Sequence, residues 1–293
     1  MKNIHFIVNP IAGSGNKKIN KTLLQKQFNA KDYTLVIKQS KFKKHATTLT
    51  KESINEGANI VVACGGDGTI NEVARCLVNT NIILGIIPIG SGNGLASNLN
   101  IPKCINKAIA LIKTETIKRV DTGFINNSYF FSNCGIGFDA QVIKHYETYK
   151  TRNLSTYIKA FFKSLKNANS FHETNIEINN KHFNIKPFMV FISNSNELGY
   201  NISLTPKASL QDGLLDVLII PKTNLFKILL LSFLMLLKKQ NLLKDVQYLQ
   251  TKQIKISQKN NIKFQTQIDG ESYSINNNTI NISILNKALQ VIA

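Results

Sequence analysis

NIVVACGGDGTINEVARCLV, residues 59–78, contains in order an apolar run, a turn with three glycines around one acid, and a helical repeat. NIVVAC (59–64) has the unbroken apolar character of a strand buried on both faces. Beyond the turn, Ile70, Val73, Ala74, Leu77 and Val78 recur at the spacing of one helix face. Strand, tight turn, helix is the repeating unit of a parallel α/β sheet. Asp67 sits inside the turn, where the chain either simply reverses or approaches a phosphate.

The same unit recurs on either side. IHFIV (4–8) is a short strand followed by NPIAGSGNKK and a helical segment near Lys18–Phe28. YTLVI (33–37) is a second strand, with a helix over Lys44–Glu56, and IILGII (82–87) is a fourth strand closed by Pro88. Three strand ends therefore carry glycine-rich turns: NPIAGSGNKK, GGDGT and PIGSGNG. In a parallel sheet such turns emerge at one edge, the carboxyl ends, where these folds bind ligands. Glycine lets backbone N–H groups approach phosphate oxygens, and a helix start adds its positive end. Neither GxGxxG nor GxxxxGK[ST] is present, which sets aside a dinucleotide Rossmann site and a P-loop.

Past Asp121 the pattern changes to short strand-like runs between polar turns: YFFSNCGIG, TNIEINN, FNIKPFMVFISNS, GLLDVLII, QIKIS and TINISIL. That pattern predicts an antiparallel, sandwich-like second domain, interrupted by helices near Tyr157–Lys166 and Leu225–Leu237. The boundary falls near Asp121–Phe124, giving domains 1–123 and 124–293, with the last residues left open to return to the first. LFKILLLSFLMLL (225–237) is too short to span a bilayer. It is either a core helix or one that lines a lipid pocket or rests on a membrane, with Lys238 and Lys239 facing anionic headgroups.

The 36 basic and 17 acidic side chains give a net charge of +19, which suits an anionic partner. The basic residues are scattered without an arginine tract, an RNA-binding aromatic motif or finger spacing, so nucleic acid is not expected as a partner. Cys64, Cys76, Cys104 and Cys134 form no CxxC pair and read as reduced cytosolic thiols, not a disulfide framework or a zinc site. The five histidines show no HExxH spacing, and MKNIHFIVNP lacks the apolar core of a signal peptide.

GGDGTINEV (65–73) together with PIGSGNGLA (88–96) resembles the catalytic domain of the diacylglycerol kinase and sphingosine kinase family, which includes bacterial lipid kinases. Asp121, NCGIGFDAQV (133–142), SLQDGLLDV (209–217) and IDGE (268–271) continue the resemblance in order along essentially the whole chain. A relationship with NAD kinases extends to the GGDG loop.

The resemblance implies an α/β fold of two domains. The first is a parallel nucleotide-binding domain of the NAD kinase and diacylglycerol kinase type, and the second is the β-sandwich-like domain with helices. It implies ATP contacting Asn9, Pro10, Ala12, Gly13, Ser40, Gly65, Gly66, Asp67, Gly68, Thr69, Asn71, Ser91, Gly92 and Asn93. Asp67 would join a network of acid, water and Mg²⁺ beside the γ-phosphate. A mainly structural Mg²⁺ would involve the Asp212 carboxylate with the carbonyls of Ser209 and Leu214. Asp269 and Glu271 resemble the catalytic acids, one of them the general base, expected across a cleft from Asp67. Asp269-Gly270, like Asp212-Gly213, is also a strong hairpin-turn signal on its own.

The fourth-strand turn, Gly90-Ser91-Gly92-Asn93-Gly94, lacks the acid that often follows the asparagine in bacterial diacylglycerol kinases and looks more like the sphingosine kinase branch. This leaves the acceptor open. Diacylglycerol, giving phosphatidic acid, is the default; a sphingoid base or another glycerolipid is the alternative. NAD kinase and a non-catalytic lipid- or nucleotide-binding protein are further readings. The expected setting is cytoplasmic and peripheral to the inner face of an anionic membrane, with a homodimer left open.

Overall fold

The computed structural model describes residues 1–13, 19–90, 92–149, 151, 153–166, 172–196, 203–236, 243, 245–258 and 263–293. Ser14–Lys18 of the first glycine loop, Ser91, Leu237, Lys238 and Lys239 lie outside the described residues. The chain divides into two units, Met1–Thr122 with Asn286–Ala293, and Gly123–Leu285.

The first unit alternates strand and helix: β1 (Lys2–Val8), α1 (Lys21–Gln25), β2 (Tyr33–Gln39), α2 (His45–Asn55), β3 (Ile60–Gly65), α3 (Asp67–Leu77), β4 (Ile83–Pro88), α4 (Gly94–Asn98) and α5 (Ile105–Thr114). Its strands pair in parallel in the order β2-β1-β3-β4. The centre is apolar on both faces, with Phe6, Val62 and Ile87 fully buried, as expected for strands covered by helices on each side. In α3 the buried residues are Ile70, Val73, Ala74 and Leu77 with Thr69, which is the face read from spacing. The first helix is shorter than expected because Asn20 caps it, accepting from the Leu23 N–H, and the chain turns away after Lys26. The sequence reading passed over α5, whose buried stripe is Ala108, Ile109 and Ile112.

The second unit is a sandwich of two antiparallel layers. One layer runs β12 (Gln247–Thr251), β11 (Leu215–Pro221), β10 (Pro187–Ser193), β7 (Asn133–Gly137), β14 (Phe264–Ile268) and β15 (Glu271–Ile275). The other contains β16 (Thr279–Ile292), β13 (Gln253–Gln258), β8 (Thr174–Ile178) and β9 (Lys181–Ile185), and β5 (Ile117–Ile125) and β6 (Ser128–Phe130) form a hairpin against β16. Residues of both layers share one core, Ile176, Ile254 and Ile280 meeting Val190, Val217 and Phe264. The opposite face of the first layer carries Met189, Phe191, Leu218 and Ile220 under three helices, α6 (Phe138–Glu147), α7 (Leu154–Leu165) and α8 (Leu225–Leu236). Successive residues of β10 and β11 thus serve two different cores, and this explains their unbroken apolar sequences.

Three readings of this unit need correction. YFFSNCGIG is two strands in different layers, β6 and β7, divided at Phe131 and Ser132. FNIKPFMVFISNS is two strands divided at Lys186, with Pro187 at the first position of β10, where a missing N–H is tolerated. Three helices occur among the described residues where two were expected. The third, α6, begins directly at the end of NCGIG, where Gly137 takes φ +94° to turn strand into helix. The strand β16 begins in the second unit and ends in the first, where Val291 pairs with Leu84 and the Asn79 N–H donates to the Ala288 carbonyl at 2.7 Å.

Candidate active site

In the first unit the three glycine loops meet. The Ile89 N–H donates to the Gly65 carbonyl at 2.8 Å and the Asn9 N–H to the Cys64 carbonyl at 2.9 Å, extending the sheet past the strand ends. The Asn9 amide donates to Thr69 Oγ1 at 3.3 Å and its Oδ1 accepts from the Ile11 N–H, so Asn9 ties the first loop to the start of α3. Ser40, at the end of β2, donates its N–H to the Val8 carbonyl at 2.9 Å. Pro10 is exposed, and Ala12 donates to the Asn9 carbonyl within the same turn.

Asp67 links the second and third loops. Its Oδ2 accepts from the Asn93 N–H at 2.8 Å and its Oδ1 from the Gly94 N–H at 2.7 Å. Charge-assisted bonds of this kind are the stronger class. A carboxylate offers about four lone-pair sites, so two remain for other partners. Asn93 is buried in the left-handed conformation, with its amide donating to the Gly90 carbonyl at 2.6 Å.

Close approach explains two of the glycines. A Cβ on Gly90 would lie 2.6 Å from the Gly66 Cα, and one on Gly13, at φ +70°, would lie 2.6 Å from the Ile89 carbonyl oxygen. Gly68 is exposed in the first turn of α3, with open space where a Cβ would be, whereas Thr69 is buried and Asn71 half-buried. The orphan N–H donors of a helix start, next to glycines, form a surface suited to phosphate oxygens. Gly92 is half-buried beside Asp67.

In the second unit Asp269 and Gly270 form the two-residue turn between β14 and β15, at φ +49° and +76°, with Ile268 paired to Glu271. Asp-Gly with both residues left-handed is the favoured hairpin turn. The turn is also anchored at its acid. The Asp269 carboxylate accepts from the N–H groups of Phe131 (3.0 Å), Ser132 (2.8 Å) and Asn133 (3.2 Å), and its own N–H donates to the Asn133 carbonyl. Glu271 is half-buried one residue past the turn, accepting from the Tyr273 hydroxyl at 3.2 Å.

Behind the turn lies a buried polar chain that the sequence reading did not single out. Gln267 donates through Nε2 to Asn133 Oδ1 at 2.7 Å and to Asp139 Oδ2 at 3.2 Å, and its Oε1 accepts from the Gly270 N–H at 3.0 Å. Asp139 lies in the first turn of α6, and its Oδ1 is buried without a partner. Burial pushes this carboxyl up to about 7 against the hydrogen bond from Gln267. Its signal in the sequence was an acid within NCGIGFDAQV, two residues after a strand-ending glycine.

Ser209, Asp212 and Leu214 share the loop before β11. Asp212 is exposed and accepts the Leu214 N–H at 3.0 Å, while Ser209 Oγ accepts from Gln211. Downstream in the same motif, Asp216 is buried, accepts from the Tyr248 hydroxyl and Gln250, and is pushed up by burial. No group of three or more His, Cys, Asp or Glu side chains in metal-binding arrangement occurs among the described residues. The Asp212 loop still offers the all-oxygen donors, one carboxylate with carbonyls, that suit Mg²⁺ with retained waters.

A groove of about 1590 Å³ opens within the second unit between its two layers. Its lining is mostly polar, with Asn126, Glu177, Asn180, Lys181, Gln250 and Lys252 among it, and Ile178, Ile254, Ile268 and Ile282 border it from the buried core.

Comparison with known proteins agrees with this architecture. Residues 3–125 match the diacylglycerol kinase catalytic domain family, and 132–293 match the YegS C-terminal NAD kinase beta sandwich-like domain family. The chain is 27% identical to a diacylglycerol kinase of Bacillus subtilis (strain 168), over 92% of this chain and 90% of that one. It is 30% identical to a "Probable lipid kinase YegS-like" of Chromohalobacter salexigens, over 59% of this chain. The match spans 57% of that relative's length. A crystal structure of a diacylglycerol kinase from Bacillus anthracis str. Sterne shares the fold, with a TM-score of 0.71 at 21% identity, covering 99% of this chain and 96% of that one. With both domain families matched in the order that the sheets display, the chain belongs to the diacylglycerol kinase and YegS-type lipid kinase family.

Proposed function

We propose that this protein is an ATP- and Mg²⁺-dependent lipid kinase that transfers the γ-phosphate to a lipid hydroxyl, with diacylglycerol as the first acceptor to test. The meeting of three strand-end loops, two joined by Asp67 and the first tied through Asn9 to Thr69, carries the reading in a chain of this family. Phosphoryl transfer depends on positioning and charge stabilisation, so backbone donors held in fixed loops are the required equipment. In this reading Asn9, Gly13, Gly65, Gly66, Gly68 and Thr69 supply the nucleotide wall, completed by Ser91, Gly92 and Asn93. Asp67 fixes the loops relative to each other with two of its lone pairs and faces the phosphates with the rest.

The two acids of the hairpin then have different tasks. Asp269 has three main-chain N–H groups on its carboxylate, so it positions the turn. Glu271 is the group we assign to accept the proton of the lipid hydroxyl. Mg²⁺ beside the γ-phosphate would neutralise its charge near Asp67, and a separate, structural Mg²⁺ would be held by Asp212 with the Ser209 and Leu214 carbonyls.

No helix among the described residues is long and apolar enough to cross a membrane. We place the enzyme in the cytoplasm, working peripherally on the inner face of the membrane. The test is transfer of labelled phosphate from ATP to diacylglycerol in mixed micelles, with NAD and a sphingoid base as competing acceptors. Label in phosphatidic acid that disappears in Asp67→Asn and Glu271→Gln supports the assignment. Undiminished labelling in both variants refutes the residue roles, and labelling of NAD alone refutes the lipid.

A further inference from the structure

Twelve large apolar side chains are exposed among the described residues, and eight of them fall on two helices of the second unit. On α7 they are Leu154 (40%), Ile158 (47%) and Phe162 (57%), a single stripe at i, i+4 and i+8. On α8 they are Leu225, Phe226 (74%), Leu229, Leu230 and Phe233 (58%). Both helices have an inward face as well. Thr156, Ala160 and Ser164 of α7 and Ile228 and Leu231 of α8 are buried, with Ala160, Ile228 and Leu231 packed on the one apolar cluster over the outer face of the β10–β11 layer. Packing on that cluster therefore accounts for one side of each helix and leaves the other unexplained. Exposed phenylalanines on two helices whose inner faces share one apolar cluster mark an interaction surface.

Charge selects the partner. Lys159, Lys163 and Lys166 are exposed beside the apolar stripe of α7, and neither helix contains an acidic residue. Lys227 of α8 is paired with Asp245, so among the described residues of the two helices the unpaired positive charge is on α7. Apolar side chains interleaved with lysines fit a surface that is greasy below and anionic above, which is the headgroup region of an acidic lipid leaflet. A protein partner of the same chain would bring the same +19 charge against it.

We infer that α7 and α8 form a docking face that enters the interface of an anionic bilayer, with Phe162, Phe226 and Phe233 inserted and Lys159, Lys163 and Lys166 at the phosphates. This rests on the reading that the enzyme takes its acceptor from a membrane, and it names the surface that brings it there.

The sequence contains no tryptophan, so Phe226→Trp and Phe162→Trp each give a single reporter. On adding phosphatidylcholine vesicles containing phosphatidylglycerol, both reporters shift to the blue, and sedimentation shows binding that weakens with salt. Phosphatidylcholine alone binds much less. Phe226→Ser and Phe162→Ser each lower vesicle partitioning about tenfold. They keep the thermal midpoint and the turnover of a short-chain diacylglycerol presented as monomer. Equal partitioning of the serine variants overturns the proposal, as does a red-shifted, water-like reporter on bound protein. A stable dimer of the unaltered chain that Phe226→Ser dissociates also overturns it, because the face is then a subunit interface. If vesicles bind as described but no lipid is phosphorylated, the kinase reading fails and the docking face stands. If monomeric diacylglycerol is phosphorylated without vesicle binding, the docking face fails alone.

Discussion

Replacing Asp139 by asparagine should stabilise the fold at alkaline pH and leave it nearly unchanged in acid. The carboxyl is buried in the first turn of α6 with one oxygen bonded to Gln267 and the other without a partner, and burial raises it from 3.8 to about 7. The folded chain thus holds this proton more tightly than the unfolded chain. The contribution to stability is complete below about pH 4 and is lost progressively as pH rises through about 7. At about 1.4 kcal/mol for each pH unit, the full span is about 4 kcal/mol, an upper figure because buried sites relax and admit water. Asparagine keeps the shape and an acceptor for Gln267 but carries no charge at any pH. Urea unfolding of both proteins should therefore give matching free energies near about pH 4 and a gap of about 2–4 kcal/mol in favour of Asp139→Asn near about pH 8.5. A gap that stays constant across this range, or that favours the unaltered protein at high pH, would refute the link between burial and titration at this site.

Other substitutions separate roles that the sequence leaves merged. Asp269→Asn removes an anionic acceptor from three main-chain N–H groups and should cost about 1.5–3 kcal/mol in urea unfolding as well as activity. Glu271→Gln should leave stability within about 0.5 kcal/mol and lower kcat by at least about a hundredfold, measured by phosphate transfer to diacylglycerol. Gly90→Ala places a methyl 2.6 Å from the Gly66 Cα. It should cost about 1–3 kcal/mol by forcing the loops apart and should raise the ATP concentration needed for half-maximal rate. Tyr248→Phe leaves buried Asp216 with one fewer donor and should lower stability by about 1–3 kcal/mol in the same unfolding assay.

The parallel sheet was legible because its signals are local. The run 59–64, the glycine turn and the stripe of Ile70, Val73, Ala74 and Leu77 lie within one strand–helix unit, and each describes its neighbour. The helix α6 was hidden because its first turn continues a strand through Gly137, and its polar residues Asp139 and Gln141 face inward, so apolar spacing understates it. The division of residues 183–193 at Lys186 was masked by β10 facing two cores, which erases the alternation that marks a strand. At the site, spacing and resemblance pointed to Asp67, Asp269 and Glu271. They could not show that Asp67 and Asp269 hold main-chain N–H groups, since the partners at Asn93 and at Phe131–Asn133 are distant in sequence. Gln267 was invisible for the same reason: its three partners, Asn133, Asp139 and Gly270, become neighbours only when β7, α6 and the hairpin are assembled.

The path of β16 bears on how the protein is made. Residues 286–293 belong to the first unit, where Leu289, Val291 and Ile292 are buried, the Lys287 N–H is bonded to Asp121, and the Ala293 N–H is bonded to the Thr116 carbonyl. A chain emerging from the ribosome would expose the Leu84 edge of the first unit throughout synthesis of the second unit. Completion of the first unit thus waits on residues that are translated after the acid hairpin. A nascent chain would acquire its hairpin acids before the sheet that carries the glycine loops is closed. In the proposed role, phosphate transfer before residues 286–293 are made is thereby disfavoured by the order of synthesis itself.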